Sequence, residues 1–184
     1  MYIYRTILLY CLLISPTFSY CQNVGEILWI EGERLTWDNF RGTPTDTIHA
    51  AKISYEISYS VCKKSIWNGK VVLKVECIFH QNVSWVSRQM LHPLLLRHEQ
   101  LHFDIAELYT RKLRKEFEDS KLNVDTVEKK ASSIFDKVDK ECLDYQRVYD
   151  KETYHGTIED KQIEWELKIK DELKALENYK KNHC

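Results

Sequence analysis

The chain has 184 residues and a formal net charge of −1. This length suits one domain that can bury a core. No block of lysines and arginines stands apart from acidic neighbours, because the basic run at 111–115 is followed at once by Glu116, Glu118 and Asp119. We therefore expect no nucleic acid or anionic membrane surface as a partner.

The first residues predict a secretion signal. Arg5 supplies a short positive region, and the apolar run at 7–14 is too short to span a bilayer. The segment 15–19 resembles the polar region before a signal-peptidase site. We expect cleavage between Ser19 and Gln22.

Residues 1–22 are therefore predicted as a signal peptide and 23–184 as a single mature domain, exported to the periplasm or the extracellular space. Cys21 raises the alternative of a membrane-anchored lipoprotein. Tyr20 is larger than the small residue that such a signal requires before its cysteine, so this alternative is less favoured. No later segment is apolar enough to cross a membrane.

The mature chain begins with two short aromatic-rich segments. Glu26–Ile30 and Leu35–Phe40 are predicted as an edge strand and a turn. Trp29, Trp37 and Phe40 are interpreted as anchors of the core.

Two segments with alternating apolar residues, Ala51–Lys63 and Lys70–His80, predict an antiparallel hairpin. Matching their apolar faces requires pairs whose residue numbers sum to an even number. This excludes a two-residue Asn-Gly turn and favours a three-residue loop with Gly69 in the left-handed conformation.

Four cysteines remain after the predicted cleavage: Cys62, Cys77, Cys142 and Cys184. In a regular hairpin Cys62 and Cys77 point to opposite faces, so a disulfide between them is not expected. The other pairings stay open.

From Ser84 onward the apolar period becomes helical. Ser84 and Trp85 are predicted as the cap and first turn of a short helix, and Pro93 as the first turn of a long helix that ends near Asp119. Two further helices are predicted, separated by a break. Their ranges are 124–149 for the second helix, 150–156 for the break and 158–179 for the third helix, with Ile163, Leu167 and Trp165 buried. The predicted fold is α+β, a small antiparallel sheet in the N-terminal half followed by three long helices.

The first long helix contains the sequence His98-Glu-Gln-Leu-His102. On a helix, residues four apart lie about 40° apart on one face, so the imidazoles of His98 and His102 can reach one metal ion. Glu99 beside the first ligand can accept a proton from a water bound to that ion. The pattern therefore predicts a zinc site.

A catalytic zinc site needs a third protein ligand. Glu107 and Asp104 point away from the predicted metal, and no glycine soon after His102 allows the tight turn that brings a third histidine in metzincins. The third ligand must therefore come from a later element.

His155 is the favoured third ligand, because it lies in a predicted loop beside Gly156, and Asp150 or Thr153 could accept from its other ring nitrogen. The acids of the second helix stay as alternatives, although repeated carboxylates on a helix usually form its solvated face. They are Asp136, Asp139, Glu141 and Asp144. The remaining histidines, His49, His80, His92 and His183, are interpreted as exposed or packed.

Four segments together resemble a bacterial family of exported proteins, catalogued as domain of unknown function 922. They are Leu35–Gly42, Ser84–Val86, His98–Glu107 and Tyr149–Gly156. The resemblance implies zincin-like chemistry, with His98 and His102 as zinc ligands and Glu99 as general base. Its Thr-x-His-Gly element at 153–156 supports His155 as third ligand. No substrate is established for the family.

We therefore expect an exported zinc peptidase that hydrolyses a protein or peptide amide bond. Tyr149 or Tyr154 could stabilise the oxyanion, and substrate could add along an edge of the predicted hairpin. One alternative is a non-catalytic binding or scaffold protein of the cell envelope with a structural metal site. The other is a protein without metal, in which His98 and His102 are hydrogen-bonded at a helix surface.

Overall fold

The structure is a computed structural model, described over residues 25–65, 67–182 and 184. The predicted signal peptide with Cys21, and also His183, lie outside these residues. The strands are β1 (Glu26–Leu28), β2 (Ala51–Lys52), β3 (Tyr55–Lys64), β4 (Val71–His80) and β5 (Trp85–Val86), and the helices are α1 (Pro93–Asp119), α2 (Val127–Thr153) and α3 (Glu159–Ala175). Short 3-10 turns lie at Trp37–Asn39, Arg88–Met90 and Glu177–Tyr179.

The strands form two small antiparallel sheets. One has three strands in the order β1-β4-β3, and the other pairs β2 with β5. The predicted α+β fold, with sheets in the N-terminal half followed by three helices, is confirmed. None of the helices of the described residues is long and apolar enough to cross a membrane.

The hairpin differs from the prediction at both ends. Its first strand divides into β2 and β3, because the Ser54 amide turns to the Ser84 hydroxyl, 2.8 Å away. As far as Val61, which pairs with Leu73, the residue numbers of each pair sum to an even number as predicted. A bulge then shifts the register by one residue. The loop after Ser65 is therefore one residue longer than predicted, while Gly69 adopts the expected left-handed conformation, with φ +66°.

A disulfide joins Cys62, at the bulge of β3, to Cys184. It ties the end of the chain to the sheet. Cys77 and Cys142 are free and buried, so the expectation that Cys62 does not pair with Cys77 is confirmed.

Two helical predictions are wrong. Trp85 belongs to strand β5, where it pairs with Lys52 and is almost fully buried, rather than to a first helical turn. In α3 the predicted burial of Trp165 is confirmed and Ile169 is buried with it, but Ile163 and Leu167, also predicted as buried, are 42% and 58% exposed. Both patterns have helical spacing, and the one that contains the large Trp165 ring packs inward.

The second helix extends further than predicted. It continues to Thr153, so Asp150 lies in its last turn and not in a break. The helix ends where Tyr154 and His155 adopt left-handed conformations, with φ of +49° and +52°. Non-glycine residues adopt this conformation at a cost, and no periodic signal in the sequence indicates it.

Helix α1 is the centre of the domain. It begins as predicted at Pro93, with His92 as its N-cap, and its middle is buried on every side because it contacts the sheet, α2 and α3. The main apolar core packs around α1 and includes Ile105 and Leu108. A second, smaller apolar cluster contains Leu35 and Phe40, with Trp29 and Trp37 packed against it. The three aromatic anchors are therefore confirmed.

Candidate metal centre

His98 and His102 lie one turn apart on α1 and face the same point. Their Nε2 atoms are 3.1 Å apart, and both residues are buried. This is the arrangement that the spacing of four residues predicts.

The third group at this point is Asp150, from the last turn of α2. Its Oδ1 lies 3.2 Å from Nε2 of His98 and 3.0 Å from Nε2 of His102. Donor atoms bound to one tetrahedral zinc ion at about 2.0–2.1 Å are separated by roughly 3.3 Å. Two imidazole nitrogens and a carboxylate oxygen at these separations fit a zinc ion.

Gln146 fixes the orientation of His102. Its side-chain oxygen hydrogen-bonds Nδ1 of His102, and its side-chain nitrogen donates to the His102 carbonyl over 2.9 Å. When Nε2 binds a metal, the imidazole therefore carries its proton on Nδ1, where Gln146 accepts its hydrogen bond. Gln146 and Asp150 are four residues apart, so one face of α2 supplies both the orienting group and the carboxylate.

Tyr149 packs against both histidines. Its ring stacks on His98 with centroids 4.7 Å apart and meets His102 edge-on at 4.9 Å. Its hydroxyl donates to the Gln162 side chain over 2.7 Å, so it is already committed to a buried hydrogen bond.

Gly156 lies directly against His98. A Cβ atom at this position would be 2.7 Å from both Cβ and Cγ of His98, and the φ of Gly156 is +76°. The Thr153 hydroxyl accepts from the Gly156 amide over 3.2 Å and donates to the Tyr149 carbonyl. The Thr-x-His-Gly element thus places the backbone of Gly156, which has no side chain, against the imidazole ring of His98. Among the described residues, Nδ1 of His98 has no hydrogen-bond partner.

Glu99 is buried and lines one cleft together with His98, His102 and Asp150, the three residues that we call the cluster. Burial raises the pKa of Glu99 to about 7, an effect that His102 and the Ile53 amide oppose and that the charge of Asp150 reinforces. A carboxyl group with a pKa near neutrality can both accept and release a proton.

The pKa values of the cluster reflect its packing. Burial lowers the pKa of His98. Burial would also lower the pKa of His102, but its hydrogen bond to Asp150 and the charge of Glu99 raise it. Burial would raise the pKa of Asp150, but its bonds to the two imidazoles hold it well below the usual range. Asp150 is therefore an anion, as a metal ligand must be.

The centre opens into a cleft of about 500 Å³. One wall is the segment 48–53, which includes β2, and Leu95 and Thr157 lie on other sides. The Ala50 carbonyl accepts from Ser87, next to β5, so Ala51 directs its own amide and carbonyl away from β5. Among the described residues, no backbone group pairs with the amide and carbonyl of Ala51 on this side, whereas the Ile53 amide donates a hydrogen bond to Glu99.

His155 lies at the rim of the cleft and not within the cluster. Its side chain is 70% exposed, and its Nδ1 lies 3.7 Å from Oδ1 of Asp150. Its role as a third ligand stays a prediction, and Asp150 is the competing ligand.

The other predicted groups do not belong to the cluster of His98, His102 and Asp150. Asp136 and Glu141 are exposed, Asp144 pairs with Lys140 and Arg147, and Asp139 is three helical turns before Asp150. Glu107 binds two arginines and Asp104 binds Trp29, both away from the cluster as expected. Tyr154 is largely exposed, His49 pairs with Asp46 and lines the cleft, His80 pairs with Glu56, and His92 caps α1.

The sequence pattern does not identify Asp150 and Gln146 as site residues. It indicates Asp150 only as a hydrogen-bond partner of His155. A signal for Gln146 is nevertheless present, because it follows Cys142 at helical spacing on the buried face of α2, whereas Asp150 lies after the predicted end of that helix.

A family described as "Bacterial protein of unknown function (DUF922)" matches residues 34–156, two thirds of the chain. The chain belongs to this family. The match includes every residue of the cluster and ends at Gly156, the glycine that packs on His98. Searches of curated proteins and of solved structures found no match.

Proposed function

We propose that this protein is an exported zinc-dependent peptidase. The observation that carries the proposal is the convergence of His98, His102 and Asp150 at one point, beside the buried Glu99 and open to a cleft. Three protein ligands with an accessible fourth position are typical of catalytic zinc sites, whereas structural sites are closed by four.

The chemistry divides between the ion and the chain. When bound, zinc supplies an activated water and polarises the carbonyl group of the substrate. Glu99 accepts the proton of the attacking water and delivers it to the leaving amine, since it is buried next to His98 and lines the same cleft. Gln146 keeps His102 in the tautomer that leaves Nε2 free.

The substrate proposed here is an extended peptide. The free edge of β2 along the cleft presents the amide and carbonyl of Ala51, which can pair with a peptide backbone as an added strand. β2 is the first part of the predicted strand Ala51–Lys63, so the proposed edge belongs to the predicted hairpin and lies beside Glu99.

His155 is assigned the stabilisation of the oxyanion. It lines the cleft beside Asp150 with its imidazole exposed to an incoming substrate. Tyr149, the candidate for this role from the sequence, donates its hydroxyl to Gln162 instead.

The alternative function is a non-catalytic cell-envelope binding or scaffold protein with a structural metal site. The proximity of His155 to Asp150 supports this alternative, because a rotation of His155 into the cluster would supply a fourth ligand and close the site.

Zinc content and peptide cleavage, measured on the mature chain, test the proposal. We expect one zinc per chain and cleavage of a mixed peptide library. Glu99→Gln should keep the zinc and lose cleavage, whereas Glu141→Gln, an exposed carboxyl on α2, should keep both. Zinc without cleavage in the wild type would favour the scaffold function, and absence of zinc would exclude both.

A further inference from the structure

A second cleft of about 510 Å³ lies away from the metal centre and shares no lining residue with it. It is bordered by β4, by the C-terminal end of α1 and by the segment 179–182. The Cys62–Cys184 disulfide fastens the end of that segment to β3. The wall formed by 179–182 is therefore tied to the sheet close to its end.

The floor of the second cleft is apolar. Val71, Val75, Phe117 and Leu122 are all buried residues of the main core that line it, and Leu73 adds a half-buried side chain. A cleft of this size and lining suits a ligand with apolar groups, since ligand sites of about 300–1,000 Å³ are lined mostly by such side chains.

Within the described residues, one edge of β4 has no partner strand along this floor. On the side away from β3, the described residues pair β4 with β1 at Ile78–His80, and the Trp29 amide donates to the Cys77 carbonyl over 3.0 Å. Further along, the Val75 amide donates to Asn182 over 2.7 Å, and the Val75 carbonyl accepts from Arg114 over 2.8 Å. Alternate residues of a strand face the same edge, so Leu73 presents its amide and carbonyl there as well. A ligand with a peptide backbone can pair with them.

The rim of the second cleft is basic. Lys70, Lys121 and Lys181 are exposed at its border, and Glu118 is the one carboxylate among its lining residues. Lys121 has a φ of +46°, in the left-handed region that favours glycine. The charge balance of the rim favours an anionic group on the ligand.

We propose that this second cleft binds the C-terminal end of a peptide or protein. Apolar side chains of the last residues lie on the floor, their backbone pairs with Leu73, and the terminal carboxylate lies among the rim lysines. Strand addition and capture of a terminal carboxylate are both established modes of peptide recognition. Binding at this cleft is a function beyond the proposed peptidase activity and does not depend on it.

The test uses fluorescence anisotropy with a labelled hexapeptide that ends in Leu-Val-Val and a free carboxylate. The control peptide has the same sequence with a C-terminal amide. Decanoate, which has an apolar tail and a carboxylate but no peptide backbone, serves as a competitor. Binding is measured on the Glu99→Gln variant, so that the proposed hydrolysis cannot remove the peptide. We expect the free carboxylate to bind about tenfold more tightly than the amide, because hydrogen bonds to a charged group are the stronger ones.

Lys121→Gly supplies a variant that should fold. Glycine adopts the left-handed conformation without strain, so the unfolding temperature should not fall. Affinity for the free carboxylate should drop several-fold, while Lys129→Gln, on the exposed face of α2, should change nothing. Equal binding of the acid and the amide, displacement by decanoate as effective as by the unlabelled peptide, an unchanged affinity in Lys121→Gly, or no binding of the peptide would each overturn the proposal.

The two proposals fail separately. The binding experiment needs neither zinc nor cleavage, and it is repeated on Asp150→Asn with the same expected affinities. A wild-type protein without peptidase activity would leave the expected binding unchanged, and loss of binding would leave the zinc centre unchanged.

Discussion

Gln146 holds His102 through both atoms of its side-chain amide, one on the ring nitrogen and one on the backbone carbonyl. The contact joins α2 to α1 at the point where the proposed metal ligands converge. It also determines which nitrogen of His102 can bind a metal.

Replacement of Gln146 by alanine should therefore weaken zinc binding. We expect a loss of about 10–100-fold in affinity, the range seen when partners of metal ligands are removed. Competition with a chromophoric chelator measures it. An affinity equal to that of the wild type would show that Gln146 does not orient the ligand.

Gly156→Ala should both destabilise the fold and weaken the site. The substitution combines left-handed strain of about 1 kcal/mol with a contact of its Cβ on His98 that the packed ring cannot relieve. Gly32→Ala is the matched control, because Gly32 has φ +85° and a Cβ atom added there would meet nothing within 4 Å.

Denaturant unfolding and zinc titration of both variants separate the effect of left-handed backbone strain from the effect of the Cβ contact with His98. Gly32→Ala should lower the free energy of unfolding and leave zinc affinity unchanged. If Gly156→Ala behaved in the same way, the contact with His98 would have no role in the metal centre.

Much of this centre could be predicted from the sequence, and the missing part has a physical reason. The spacing of His98 and His102 and the start of α1 at Pro93 are local features, and they hold in the structure. Asp150 depends on α2 continuing past Tyr149, which is stabilised by the packing of Tyr149 on the histidines. Such long-range contacts leave no periodic pattern in the chain.

The same distinction applies to the rest of the fold. The alternation of the hairpin predicted its pairing, but the bulge at Cys62 accompanies a disulfide to the far end of the chain. On α3 two apolar stripes had helical spacing, and only the tertiary fit of Trp165 selects between them.

Asp150→Asn should mainly weaken zinc binding, whereas His155→Ala should mainly slow peptide cleavage. Loss of the carboxylate charge should reduce zinc affinity by more than the roughly 100-fold typical of outer partners, because Asp150 contacts the metal position directly. His155→Ala should leave zinc affinity nearly unchanged and lower the rate of peptide cleavage about 10²-fold, as for other oxyanion donors. A larger loss of zinc affinity in His155→Ala than in Asp150→Asn would instead identify His155 as the third ligand.

The burial of Glu99 should appear in the pH dependence of stability. An acid whose pKa is raised from 4.5 to about 7 by folding loses stability as pH rises through this interval, because the folded state holds the proton more tightly. In metal-free protein, the free energy of unfolding of Glu99→Gln should therefore rise relative to that of the wild type as the pH goes from 4.5 to about 7. The increase should reach up to about 3 kcal/mol. Urea unfolding in EDTA measures the difference, with Glu141→Gln as the control. A pH-independent difference for Glu99→Gln would contradict a buried carboxyl at this position.

X-ray absorption at the zinc edge of the purified, zinc-loaded protein tests the proposed centre most directly. We expect two imidazole nitrogens from His98 and His102, one carboxylate oxygen from Asp150 and one further oxygen from water. Asp150→Asn should then change the spectrum, and His155→Ala should leave it as it is. A spectrum with three imidazole nitrogens, or with four protein ligands and no water, would contradict the proposed centre.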